Sequence, residues 1–166
     1  VGASPAGAQW TGCGAGAGGV IIQGEASFAG PVGLGSQGQK AGLTVNCDYR
    51  MQAFVVGAEV NYDWFFGDLH TLGAKTELGV LARFGVLTNQ SNLLYVAAGW
   101  GNTDIGFAKV DSWKLGIGDE FRIPNSPIYL DLRALYTRYD ETDISPGLAG
   151  VKMDSLEAGV RLKVKF

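Results

Sequence analysis

One histidine, two cysteines, a few scattered hydroxyls and a set of acids and bases recurring at every second position are the groups in this 166-residue chain that could do chemistry. His70 is the single histidine and stands near Asp68 and Thr71. A hydrolytic site would need it to take a proton from a nucleophilic hydroxyl while a third group holds the ring. With strands alternating in direction, Ser112 lies nearer the same end, whereas Ser91 and Ser126 fall in turns at the opposite end, so Ser112 is the candidate nucleophile. A lone loop histidine without a convergent nucleophile does not make a triad. The chain therefore reads as a non-enzyme, with a lipid hydrolase or acyltransferase as the lesser alternative.

Other site chemistries have less support. Asp140, Glu141 and Asp143 lack the spacing of a calcium loop, and no pair of Cys or His residues suggests a metal, so neither metal nor cofactor is expected. The formal charge of −3 comes from 16 acids and 13 bases spread along the chain. With no basic stripe to follow a phosphate backbone, nucleic acid is excluded as a partner.

The charged residues are placed by strands. From residue 41 onward, apolar residues alternate with polar or small ones over stretches of about ten positions, the period of a β-strand. Examples are Leu43, Val45, Cys47 and Tyr49 against Thr44, Asn46, Asp48 and Arg50, and Leu78, Val80, Ala82 and Phe84 against Glu77, Gly79, Leu81 and Arg83. Seven such segments follow one another, and a weaker first strand from Trp10 to about Ile22 makes eight. No run approaches the roughly 18–20 apolar residues of a transmembrane helix. A chain of this pattern crosses a membrane only as a closed barrel.

The expected connections alternate in length. Residues 24–40, 66–75, 102–110 and 140–153 read as the longer loops, and Met51–Gln52, Thr88–Ser91 and Pro124–Pro127 as tight turns. This is the layout of an all-β, eight-stranded antiparallel up-and-down transmembrane barrel, with short periplasmic turns, four longer extracellular loops and both termini on the short-turn side. The chain starts at Val1, as a processed precursor would. Residues 1–9 are expected to form a short periplasmic extension and 10–166 the barrel.

Alternation alone leaves open which face points outward, because a soluble lipocalin-like barrel carries its apolar face inside. The aromatics decide. Tyr62, Trp64, Trp100, Trp113 and Tyr136 fall at the long-loop rim of the apolar face, and Trp10, Tyr49, Phe54 and Phe166 at the short-turn rim. Two such girdles around an aliphatic band mark the two interfaces of a bilayer. The opposite face then lines the lumen with Glu59, Glu77, Glu120, Asp131 and Glu157 beside Arg83, Lys114, Arg133, Arg161 and Lys163, interspersed with glycines. Eight strands leave an interior just wide enough for side chains to fill. A salt-bridge-plugged lumen is therefore expected, and a small porin-like channel, as an oligomer, is the alternative.

Several stretches carry a resemblance. Trp10-Thr11-Gly12 opens the first strand, Phe54 to Trp64 (FVVGAEVNYDW) the third, and Leu94 to Trp100 (LYVAAGW) the fifth; Gly116 to Phe121 (GIGDEF), Leu135 to Asp140 (LYTRYD) and the terminal Phe166 follow. In this order they resemble the small outer-membrane surface antigens of the OmpA-type transmembrane domain, especially the opacity-like, immunogenic porin family of alphaproteobacteria. The resemblance implies a Gram-negative outer-membrane location and a structural, surface-display role. Its implied partners are outer-membrane lipid and lipopolysaccharide, and the barrel-assembly machinery through Phe166. Cys13, Leu135 and Asp119 depart from the family's usual residues.

Two local features leave alternatives open. Cys13 and Cys47 lie at similar height on adjacent strands, so they form a cross-strand disulfide or stay as two free thiols. Asp119 continues the outward series Trp113, Leu115, Ile117 and puts a carboxylate in the apolar band. Either a bulge at Gly116 or Gly118 turns it inward, or the face around Ile117 and Asp119 meets a second copy in a homo-oligomer.

Overall fold

A computed structural model describes residues 10–27, 33–67, 75–104, 109–139 and 152–166. Eight strands follow in chain order: β1 (Gly12–Ser27), β2 (Gly33–Met51), β3 (Phe54–Gly67), β4 (Thr76–Asn89), β5 (Asn92–Asp104), β6 (Lys109–Arg122), β7 (Ile128–Tyr139) and β8 (Lys152–Lys165). Each pairs antiparallel with the next, and β1 closes on β8, giving a closed barrel. Closure removes the exposed edges that an open sheet would present.

The alternation seen in the sequence becomes inside and outside. Along β4, Leu78, Val80, Ala82, Phe84 and Val86 are exposed, while Glu77, Leu81 and Arg83 between them are buried. The same holds around the barrel: Leu43, Val45, Val60, Val96, Leu115, Ile117, Leu132, Leu162 and Val164 face outward. A continuous apolar belt of this kind is far larger than the patches that water-soluble proteins expose.

The first two strands are longer than the sequence suggested. The strands run into the expected loop at 24–40, because β1 and β2 stay in register out to Ser27 opposite Gly33. This Gly-, Gln- and Ser-rich stretch has no apolar alternation, so it gives no strand signal; the backbone ladder alone extends the pairing. Glycines also explain the blurred faces of β1. A Cβ added at Gly16 or Gly18 would run into the backbone and the side-chain stems of Lys163 and Arg161 on β8. Those two long cations lie across the inner surface of β1 because nothing projects from it.

The turns also differ in detail. Met51 still pairs with Phe54, so the tight turn is Gln52–Ala53, with Gln52 at φ 56°. The turn at Gln90–Ser91 follows a register shift between Leu87 and Asn89. In Pro124–Pro127 the left-handed residue is Asn125, at φ 59°, a residue type that tolerates that region. β5 and β6 likewise run into the expected loop at 102–110, to Asp104 and from Lys109. Residues 1–9, His70 with Asp68 and Thr71, and Asp140, Glu141 and Asp143 lie outside the described residues.

Candidate functional site

The chemistry-bearing side chains converge in the lumen. Among the described residues, inward positions on six strands, β2 to β4 and β6 to β8, supply seven acids and seven bases, all largely removed from solvent. Charges at such depth persist only when paired and hydrogen-bonded. Here the pairing divides into two separate, electrically neutral clusters stacked along the barrel.

The cluster nearer the tight turns holds Asp48, Glu59, Glu120 and Asp131 against Arg83, Arg133, Lys163 and Lys165. Glu59 is its hub, taking Arg133 Nη1 at 2.5 Å, Lys163 Nζ at 3.0 Å and Arg83 Nη1 at 3.4 Å. Lys163 also reaches Asp131 at 2.6 Å, Arg133 reaches it at 2.7 Å, and Arg83 pairs with Glu120. Tyr95 donates its hydroxyl to Asp131 at 2.5 Å while the Arg83 guanidinium lies 4.4 Å from its ring centre. Gly118 makes room for that ring, since a Cβ there would collide with it.

The cluster nearer the loops holds Asp63, Glu77 and Glu157 against Lys40, Lys114 and Arg161. Lys40 Nζ sits 2.8 Å from Glu77 and 3.0 Å from Glu157; Lys114 lies 2.8 Å from Glu77, and Arg161 2.8 Å from Asp63. Thr103 and Thr137 add hydrogen bonds to Glu77 and Lys114. Among the described residues no ion pair joins the two clusters; Leu81 and Leu135, both buried, stand at the level between them. The interior space there is a cavity of about 10 Å³.

Apolar groups cover both ends. At the loop end Val20, Ile22 and Phe65 pack together. At the turn end Trp10 packs with Val55, Leu93, Tyr95 and Tyr129. This corrects the expectation that Trp10 belongs to the outer girdle. It is fully buried, meets the Tyr129 ring edge-to-face at 5.2 Å, and donates its indole N–H to the Gln90 carbonyl at 3.2 Å. Lys165 Nζ lies 4.5 Å from the Trp10 ring and 4.3 Å from the Tyr129 ring. Trp10 precedes the first strand residue, so its side chain is free of the inside–outside rule that governs strand positions.

All ten sequence-selected lumen residues, Glu59, Glu77, Arg83, Lys114, Glu120, Asp131, Arg133, Glu157, Arg161 and Lys163, point inward into these clusters. Asp48, Asp63 and Lys165, which share the inward parity of their strands, join them, as does Lys40, which falls in the expected loop at 24–40. The remaining girdle aromatics, Tyr49, Phe54, Tyr62, Trp64, Trp100, Trp113, Tyr136 and Phe166, all face outward. Tyr62 meets Trp64 and Trp113 meets Tyr136 edge-to-face, and Phe54 stacks on Phe84.

Cys13 and Cys47 stand directly opposite in the β1–β2 register and are joined as a disulfide. Asp119 faces outward, between Leu94 on β5 and Leu132 on β7. The expected bulge is absent: β6 runs without a register shift against both neighbours. Asp119 lies three residues from the strand's turn end, with Asn92 in hydrogen-bonding reach. Near an interface, an outward carboxylate costs far less than at mid-depth, so no bulge is needed to remove it.

Ser112, the candidate nucleophile, is buried in the lumen wall and donates to the Gly101 carbonyl at 3.4 Å. Among the described residues no group of three His, Cys, Asp or Glu side chains is arranged to hold a metal ion.

No protein-family signature matches the sequence, and no curated protein matches it. Solved structures do. The chain is similar to Neisserial surface protein A at a TM-score of 0.56 and 14% identity, over 92% of this chain and 97% of that one. It also aligns with the attachment invasion locus protein Ail of Yersinia pestis, at a TM-score of 0.49 and 14% identity over 92% and 99% of the two chains. The fold is that of a small Gram-negative outer-membrane barrel. At this level of identity the likeness speaks for the fold alone.

Proposed function

We propose that this protein is a structural, surface-displaying barrel of a Gram-negative outer membrane, with a lumen closed to ions. The observation that carries the reading is the pairing, among the described residues, of seven buried acids with six buried bases and the largely buried Lys165 in two neutral clusters, inside a barrel whose outer face is apolar. A conducting pore needs unpaired polar surface and water along its axis. Here the lumen charges face one another, and Trp10 and Phe65 lie in apolar groups at the two ends.

The role in membrane integrity and surface contact rests on the resemblance to opacity-like surface antigens. So do contacts with lipopolysaccharide and recognition of Phe166 by the assembly machinery. The test is to express the chain behind a secretion signal in a Gram-negative host. The reading expects outer-membrane fractionation, heat-modifiable migration and protease access to the loops from outside intact cells. Recovery in the soluble periplasmic fraction would refute it.

A second copy is the partner suggested by the outer surface. Ile117, Asp119, Leu132, Ala134, Ala158 and Gly19 border a shallow outward concavity of about 540 Å³, and small residues there admit close approach of another barrel. Cross-linking of an Ile117→Cys variant in native membranes tests this contact; a monomer-only result refutes it.

A further inference from the structure

The cavity bordered by the loop-side cluster and by Arg133 of the turn-side cluster is small and lined in part by polar side chains. Its volume of about 10 Å³ is close to the space one water molecule occupies by the same measure. Asn61, Glu157 and Arg161 border it, each at most 5% exposed. Among the described residues, Asn61 Oδ1, Glu157 Oε2, and Arg161 Nε and Nη1 have no hydrogen-bond partner. Arg133, of the turn-side cluster, borders the same space and leaves its Nε unpartnered. Polar atoms buried without partners are costly, and native proteins satisfy them with protein groups or with ordered water.

The set contains both acceptors and donors, which suits a molecule that both donates and accepts. It does not suit an ion. The loop-side cluster is neutral by itself, and the charge on Arg133 is balanced by Glu59 and Asp131. A cation would add uncompensated charge beside Lys40, Lys114 and Arg161, and a halide is too large for the space.

We propose that this cavity is a binding site for a single, slowly exchanging water molecule. It accepts from Arg133 Nε and from Arg161, and donates to Asn61 Oδ1 and Glu157 Oε2. The water joins the loop-side cluster to the turn-side cluster, so that the lumen carries one continuous hydrogen-bond network across the Leu81–Leu135 level.

Gly79 borders the site, and a Cβ built there finds nothing nearer than 3.9 Å, the atoms at that distance being on Asn61, Lys114 and Trp100. Gly79→Ala therefore places a methyl group toward the water without a clash. The experiment is water–protein cross-relaxation by NMR on the folded protein in micelles. It is paired with crystals grown in bromide and measured at the bromine absorption edge.

The parent should show a long-lived water contact at the Asn61 side-chain amide and a peak without anomalous signal in the cavity. Gly79→Ala should lose that contact while keeping heat-modifiable migration. An anomalous peak, an empty cavity, or no long-lived water in the folded parent would overturn the proposal. Should Gly79→Ala not fold, the two measurements on the parent decide alone.

Discussion

Lys163 Nζ lies 3.0 Å from Glu59 Oε2, and neither side chain exposes any surface to solvent. Glu59 on β3 thereby ties together β8 through Lys163, β7 through Arg133 and β4 through Arg83. Removing this carboxylate strands several buried cations at once. Glu59→Ala should cost about 3–5 kcal/mol of unfolding free energy, the scale of breaking a buried pair from one side. Urea titration of the variant and parent in the same micelle checks it, and an unchanged midpoint and slope would mean that the lumen is wet enough to screen these charges.

Arg133→Ala probes the same cluster from the basic side. Glu59 and Asp131 each lose a partner but keep Lys163. The loss should be about 3 kcal/mol, at the lower end of the same range. The double variant with Glu59→Ala should be less destabilised than the sum of the singles, because residues in one network do not act independently. Additive losses in a double-mutant cycle would show that the two side chains are uncoupled.

Period-2 alternation in the sequence sufficed for β3 to β8, because one face of each strand meets an apolar surrounding and the other meets charge. It failed where side chains do not report the face. At Gly14, Gly16 and Gly18 the inward side is empty so that β8 cations can lie over it, and from Gly33 to Gln39 backbone pairing continues without patterned side chains. Trp10 escapes the pattern for a related reason. An aromatic at a strand end has the same composition signal whether it anchors in lipid or folds under the barrel, and only tertiary packing separates the two. The lumen site was legible as a set of residues, but its division into two neutral clusters depends on side-chain reach: Arg161 extends to Asp63 while Lys163, two residues on, bonds Glu59.

Trp10 covers the turn end of the lumen and stands beside Lys165 and Tyr129. Trp10→Ala should lose about 3–5 kcal/mol, as expected for truncating a fully buried large aromatic. The indole of Trp10 should also resist aqueous quenchers in the parent. A variant carrying Trp10 as its single tryptophan checks this by acrylamide quenching; strong quenching, with Trp10→Ala as stable as the parent, would place the ring outside the barrel.

The Cys13–Cys47 bond closes a segment with a sequence separation of 34. By the loop-entropy relation such a cross-link contributes about 3–4 kcal/mol against the unfolded chain. The paired substitution Cys13→Ser and Cys47→Ser should lower stability by up to that amount while leaving the barrel folded. Thiol labelling of the denatured, unreduced parent should find no reactive cysteine, and two labelled thiols would rule the bond out.

The central claim is that paired charges close the lumen, and single-channel recording in planar bilayers meets it most directly. The purified, heat-modifiable barrel should insert without producing stepwise conductance at moderate voltage, since the interior space between the clusters is about 10 Å³. Reproducible ion-conducting steps from the monomeric barrel would contradict the account.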